Sequence, residues 1–145
     1  MPNHVRTNLF VYGNRADVSS LVETIGDRMN FERIIPPPEN MFQENLGETE
    51  REYCEKHNIP TWYDWQVANW GTKWNAYNTD TVEVIRDQPD VMTVCYRFDT
   101  AWVCPEPIIL RIAEKWPRLE LYGDWENEDN GPDWGRGLIE DIIHG

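Results

Sequence analysis

Hydrophobic and polar positions alternate at the start of the chain. Val5, Thr7, Leu9 and Val11 take one side, Arg6, Asn8, Phe10 and Tyr12 the other, a period of two that predicts a strand over residues 3–12. Gly13-Asn14 breaks it. Val18, Leu21, Val22, Ile25 and Met29 then recur at helical spacing, with Asp17 placed to favour a helix N-terminus. Alternation returns downstream. Val82, Val84 and Ile85 mark residues 80–87, and Met92, Val94, Tyr96 and Phe98 alternate with Thr93, Cys95 and Arg97. Asp87-Gln88-Pro89-Asp90 between them is a turn signal, so the two runs read as a hairpin. Pro105 and Pro107 suit a first helical turn, and Ile108, Ile109, Ile112, Ala113 and Trp116 form one apolar stripe that Pro117 ends. Leu119, Leu121, Gly123 and Trp125 alternate with Glu120, Tyr122 and Asp124 in a last main strand. In the tail, Leu138, Ile139, Ile142 and Ile143 suit a short helix and equally a strand broken at Glu140-Asp141.

Between the first helix and the hairpin the pattern changes character. Phe31, Ile34 and Ile35 run into Pro36-Pro37-Pro38, which reads as an extended connector laid over the core. Residues 39–55 carry six glutamates with Arg51 the only base, a solvated stretch with room for a short helix from Glu48 to His57. Thr61-Trp62-Tyr63-Asp64 fits a capping box, and the helix it starts should stop at Gly71. The order is therefore β-α, an insertion of helix and loop at about 31–79, then β-β-α-β. That is the split βαβ plan: an α+β, ferredoxin-like fold with an antiparallel sheet and helices on one face. At 145 residues the chain is long enough for a real core, and residues 1–145 read as a single domain.

Charge narrows the function. There are 26 acids against 13 bases, a formal net charge of −13, and no window of clustered Lys and Arg. A phosphate backbone or an anionic membrane calls for a basic face, so direct nucleic-acid and membrane binding are disfavoured. An acidic chain suits a host protein with a basic surface, such as a nucleic-acid-binding groove, or serves solubility alone. Residues 118–133 hold Glu120, Asp124, Glu126, Glu128, Asp129 and Asp133 against Arg118 alone. On one side with the acids of residues 39–55, they would give a field like that of a phosphate backbone, a DNA mimic. Trp125 and Trp134 flank the cluster and could anchor a partner. The candidate partner-binding set is thus Trp125, Glu126, Glu128, Asp129, Asp133 and Trp134.

Catalytic, cofactor and metal signals are weak. His4, His57 and His144 sit in no nucleophile signature, and no Gly-rich phosphate loop is present, so no enzyme and no cofactor are expected. Cys54-x-x-His57 has ligand spacing, but Cys95 and Cys104 lie nine apart across a strand and a turn, so zinc is not expected. Asp124–Gly131 looks like a calcium loop, yet with Gly131 at position six, position twelve is Gly137 and not the required Glu. Three cysteines, no apolar run of spanning length and no signal peptide suggest a cytoplasmic protein with free thiols.

One segment stands apart from the acid background: Trp70-Gly71-Thr72-Lys73-Trp74-Asn75-Ala76-Tyr77-Asn78, with no carboxylate. It has two readings. In the first, Trp70 and Trp74 pack against Trp102 under the sheet edge while Asn75 and Asn78 satisfy buried backbone groups. In the second, Lys73, Asn75, Tyr77 and Asn78 form a polar contact patch beside aromatic anchors. The segment resembles the signature of the YubB-like family of phage and plasmid proteins. Phe98-Asp99-Thr100-Ala101-Trp102, Cys104-Pro105-Glu106-Pro107 and Ile35-Pro36 resemble further parts of that family in the same order. The chain departs at Val103-Cys104-Pro105, where the family suggests a serine and paired prolines, and in the acidic loop Glu126–Gly137. The resemblance implies a ferredoxin-like domain carried by phages, prophages and plasmids, with no established activity and no catalytic residues to carry over. The expected function is inhibition of a basic, nucleic-acid-handling host protein by surface contact, of anti-defence or anti-CRISPR type. The alternative is a single-stranded nucleic-acid or nucleotide binder that stacks bases on the sheet face through Lys73, Trp74, Tyr96 and Arg97.

Overall fold

The computed structural model describes residues 3–128 and 135–145. Strand β1 (His4–Asn14) buries Val5, Thr7, Leu9 and Val11, the side its alternation marks. Its last residue starts the next element: the Asn14 Oδ1 accepts from the Ala16 N–H at 2.8 Å and caps α1 (Arg15–Ile25). Val18, Leu21 and Ile25 of α1 enter the core, and Gly26, at φ 99°, turns the chain away. Met29 is buried as well, but beyond the end of the helix.

After the insertion come β2 (Glu83–Asp87), β3 (Val91–Ala101), α4 (Glu106–Lys115) and β4 (Glu120–Asn127). In the tail the helix alternative holds: Ile139–His144 is a helix, α5, with Glu140 and Asp141 in its first turn, and a short strand β5 (Arg136–Leu138) precedes it. Among the described residues five strands form one antiparallel sheet, in the order β2-β3-β1-β4-β5. β3 lies between β1 and β2, and β1 lies between β3 and β4, so two βαβ units interleave. This is the ferredoxin-like architecture, with β5 added at one edge. The core lies between the sheet and its helices, where Leu9, Tyr96, Phe98, Ile108, Ile109, Ile112 and Ile139 are fully buried.

The insertion packs onto the same face. Phe31–Arg33 is a turn of 3-10 helix and not an extended connector. Asn30 caps it, accepting from the Glu32 N–H at 3.1 Å, and the turn delivers Phe31 edge-on to Trp70 and Phe98, at ring distances of 5.7 and 5.8 Å. Helix α2 (Glu48–Lys56) buries only Cys54. Helix α3 (Trp62–Trp70) starts on the expected cap, with Thr61 Oγ1 accepting from the Asp64 N–H at 3.3 Å. It ends at Gly71, whose φ of 81° and closeness to Pro107 (2.6 Å from where a Cβ would stand) both require glycine. Strand β2 is shorter than the alternation of 80–87 suggests and exposed throughout. Val82 falls outside it because its N–H is taken by the Asp27 carbonyl at 2.7 Å.

Candidate functional site

The segment Trp70–Asn78 divides into a buried half and a surface half. Trp70 is 1% exposed, donates from Nε1 to the Ile35 carbonyl at 2.9 Å, and meets Trp65 edge-on. Thr72 Oγ1 donates to the Ala101 carbonyl at 2.7 Å. Asn75 Oδ1 accepts from the N–H groups of Phe31 (2.9 Å) and Ala76 (2.8 Å), while its Nδ2 donates to Asn30 Oδ1 at 3.0 Å. These residues stitch the insertion to the sheet; Asn75 satisfies a buried backbone group as the first reading expects, whereas Trp70 packs against Phe31 and Trp65 and not against Trp102.

Trp74 and Trp102 do not join Trp70 beneath the sheet edge. They are 37% and 46% exposed, and the Lys73 ammonium lies 4.3 Å from each ring centroid, held between two indoles. The cause is local backbone geometry. Gly71 reverses the chain after α3, and Trp102 adopts φ 72°, left-handed backbone that a bulky side chain occupies at a cost of about 1–2 kcal/mol. Three bonds fix that turn: Trp102 N–H to Asn3 O (2.8 Å), Val103 N–H to Ala101 O (2.9 Å) and Thr100 Oγ1 to Val103 O (2.6 Å). They swing the indole outward, over Lys73.

Tyr77 and Asn78 continue this surface along the sheet edge. Tyr77 exchanges two backbone bonds with Asp99, at 3.1 and 2.8 Å. Its hydroxyl bonds to His4 Nδ1, and its ring stands edge-on to Trp74. Burial, then the nearby Asp99 and Glu128 charges, push the Tyr77 phenol pKa up, so it stays protonated. Asn78 satisfies no buried backbone group. It is exposed, and its Nδ2 donates to Asp99 at 2.9 Å within a cluster around Arg6, which reaches the Asn78 carbonyl and Asp80.

The acidic set meets this surface at one residue. Glu128 Oε1 accepts from the His4 N–H at 3.0 Å and the Glu128 N–H donates to the His4 carbonyl at 3.1 Å, so His4 joins Glu128 to Tyr77. Trp125 and Glu126 do not act together, because consecutive strand residues point to opposite faces. Trp125 lies on the helix side, opposite Thr7 in register, half-buried over Gly137. Glu126 is exposed on the open face, opposite Arg6 and Arg136 in register. Asp129, Asp133 and Trp134 lie outside the described residues. Trp125 does share a cleft of about 580 Å³ with Trp102, floored by Gly71, Cys104 and Pro107 and edged by Glu106.

The open face of the sheet also differs from its expected composition. Tyr96 is fully buried on the helix side, its hydroxyl donating to the Gly26 carbonyl at 2.7 Å, so it cannot stack a base beside Arg97. The aromatic pair on that face is Phe10 and Tyr122, stacked at 5.2 Å with planes 11° apart, with the Arg97 guanidinium 5.9 Å from Phe10. Their place on the polar side of each alternation was the signal for them. Cys95 stands on this face opposite Phe10, whereas Cys104 lies on the helix side, where Thr7 Oγ1 donates to its sulfur. Burial pushes the two thiols up to about 11 and about 12. Among the described residues no three His, Cys, Asp or Glu side chains converge as a metal site.

Residues 69–141 match the family described as the ferredoxin-like domain in Api92-like protein. The chain belongs to that family. The family's matched segment holds the whole of Trp70–Asn78, the β2–β3 hairpin, α4, β4 and β5, and so, among the described residues, every strand but β1. No curated protein and no solved structure matches the chain. Among the described residues no helix is long and apolar enough to cross a membrane.

Proposed function

We propose that this Api92-like ferredoxin-like protein acts by contact with another protein and not by catalysis, through a surface centred on Trp74 and Trp102. One observation carries the reading. Trp102 is held in strained, left-handed backbone, and the outcome is an indole left in solvent beside a second exposed indole and a clamped lysine. Backbone strain that persists where it places a side chain outward is a mark of a functional position. Exposed tryptophans at the middle of a patch, with charge around them, are the usual anchors of protein interfaces.

The rim sets the partner's chemistry. Glu128 reaches the patch through His4 and Tyr77, and Glu126 stands exposed on the adjoining open face of a chain of net charge −13, so the partner has a basic face, such as a nucleic-acid-handling host protein. Inhibition of such a protein is the function, in its sharpest form an anti-CRISPR or other anti-defence action in the cytoplasm of a bacterial host. The likeness of Trp70–Asn78 to YubB-like proteins supports an origin on a phage or plasmid. Capture from host lysate with the wild-type chain, a Trp74→Ala, Trp102→Gly double variant and a Glu126→Lys, Glu128→Lys double variant tests this. The wild type should retain a basic nucleic-acid-binding protein and lower its nucleic-acid affinity, and both variants should lose it. Equal capture by all three would sink the reading.

The Phe10–Tyr122 stack beside Arg97 supports a second reading, single-stranded nucleic acid on the open face. Against it, Asp99, Asp124 and Glu126 share that face with the stack. A low-salt mobility shift with single-stranded oligonucleotides, weakened by Phe10→Ala, is its test; no shift removes it.

A further inference from the structure

We infer that the cleft between Trp102 and Trp125 receives an arginine side chain of the partner. The inference rests on the contact reading above and gives that contact its chemistry. The cleft opens beside the Trp74–Trp102 patch, on a side of Trp102 that Lys73 and Trp74 do not line. Two indoles line it with Gly71, Val103, Pro107 and Asn127, and Glu106 supplies a carboxylate. At about 580 Å³ it is of the size that takes a single large group.

An anion does not fit there, although α4 begins at the cleft. A helix N-terminus holds anions through free N–H groups. Pro105 and Pro107 have none, Glu106 N–H is spent on the Cys104 carbonyl (2.9 Å), and Ile108 and Ile109 N–H are both spent on the Pro105 carbonyl (3.0 and 3.2 Å). Beside Val103 and the Asn127 amide, the cleft offers ring surface and one carboxylate. A planar guanidinium uses both, stacking on indole while its N–H fork meets the carboxylate; a compact ammonium uses them less well. Trp102 already holds one cation, the Lys73 ammonium 4.3 Å from its ring centroid, and Lys73 is not among the residues lining the cleft. The charge of −13 draws basic segments towards this surface and keeps acidic ones away.

The probe is N-acetyl-arginine amide, titrated into the full chain while the indole N–H signals of Trp102 and Trp125 are followed by NMR and assigned with Trp102→Phe and Trp125→Phe. N-acetyl-citrulline amide, of the same shape but uncharged, is the control. Saturable shifts confined to those two indoles are expected in the millimolar range. Binding should be about fivefold weaker or more for citrulline, and for arginine with Glu106→Gln. Glu114→Gln, on the same helix but bound to Arg111, should bind like the wild type. No saturable shift, equal shifts with citrulline, or full binding by a folded Glu106→Gln would each overturn the inference. If arginine fails while partner capture still depends on Trp74 and Trp102, the contact reading stands and only the cleft's role falls. If arginine binds but capture is indifferent to both tryptophans, the contact reading falls instead.

Discussion

Two tryptophans three decades apart in sequence carry opposite obligations. Trp70 is a core side chain with its N–H satisfied, and Trp70→Ala should cost about 3–5 kcal/mol in urea unfolding. Trp102 contributes little to the core and occupies backbone that glycine adopts freely. Trp102→Gly should therefore change stability by less than about 1 kcal/mol, since relief of the left-handed strain offsets the lost ring contacts. A loss as large as that of Trp70→Ala would mean that Trp102 is structural after all. Only part of this contrast is legible in sequence. Gly71 announces the end of α3, but nothing in the letters of Trp102 states its φ, which three bonds to Asn3, Ala101 and Thr100 impose. Cys104 offers a titratable check on burial. Its thiol is pushed from an ordinary value of 9.0 to about 12, so the folded state holds its proton longer than the unfolded state. Stability from this group is intact below pH 9 and is lost as the pH rises through about 12, at about 1.4 kcal/mol per pH unit in that window. Urea midpoints for the wild type should fall faster above pH 9 than those of Cys104→Ala; parallel slopes would contradict the burial of the thiol.

Elements are legible in the sequence where a single period governs them. The alternation of β1 and the stripe of α4 name their buried residues correctly, because each element faces one core and one solvent. The same rule already separates Trp125 from Glu126 and Tyr96 from Arg97, so neither pairing could have formed one surface. The 3-10 turn at Phe31 shows only its Asn30 cap in the sequence, since the rings that receive Phe31, Trp70 and Phe98, are distant along the chain. Pairing between elements sets its own demands. Gly123 in β4 has φ 125°, and a Cβ there would stand 2.0 Å from the Asn8 carbonyl of β1. Gly123→Ala should break the β1–β4 ladder at its middle and cost more than about 2 kcal/mol, against about 0.5–1 kcal/mol gained for the same change in an unstrained strand. Equal stability of the two proteins would show that the ladder bends around the added methyl.

For the whole molecule, the order of strands in space matters more than their order in the chain. The family match begins at residue 69, yet β1, the strand between β3 and β4, comes from the first fourteen residues. β1 pairs with β3 along eleven residues and with β4 along eight, and Val5, Leu9 and Val11 fill the middle of the core. Without it, β3 and β4 face each other with unpaired backbone and open edges, and two layers of apolar side chains lose their shared neighbour. Helix α4 shares that core, with Ile108, Ile109 and Ile112 fully buried in it, and is left with less apolar surface to cover it. A fragment of residues 69–145 should therefore lack a cooperative urea transition and the dispersed amide spectrum of a folded sheet, although it carries four of the five strands. The full chain should show one transition, because the interleaved βαβ units share β1 and neither can fold while the other is absent. A fragment that unfolded cooperatively by itself would instead make residues 69–145 a domain in their own right, with β1 an addition to it.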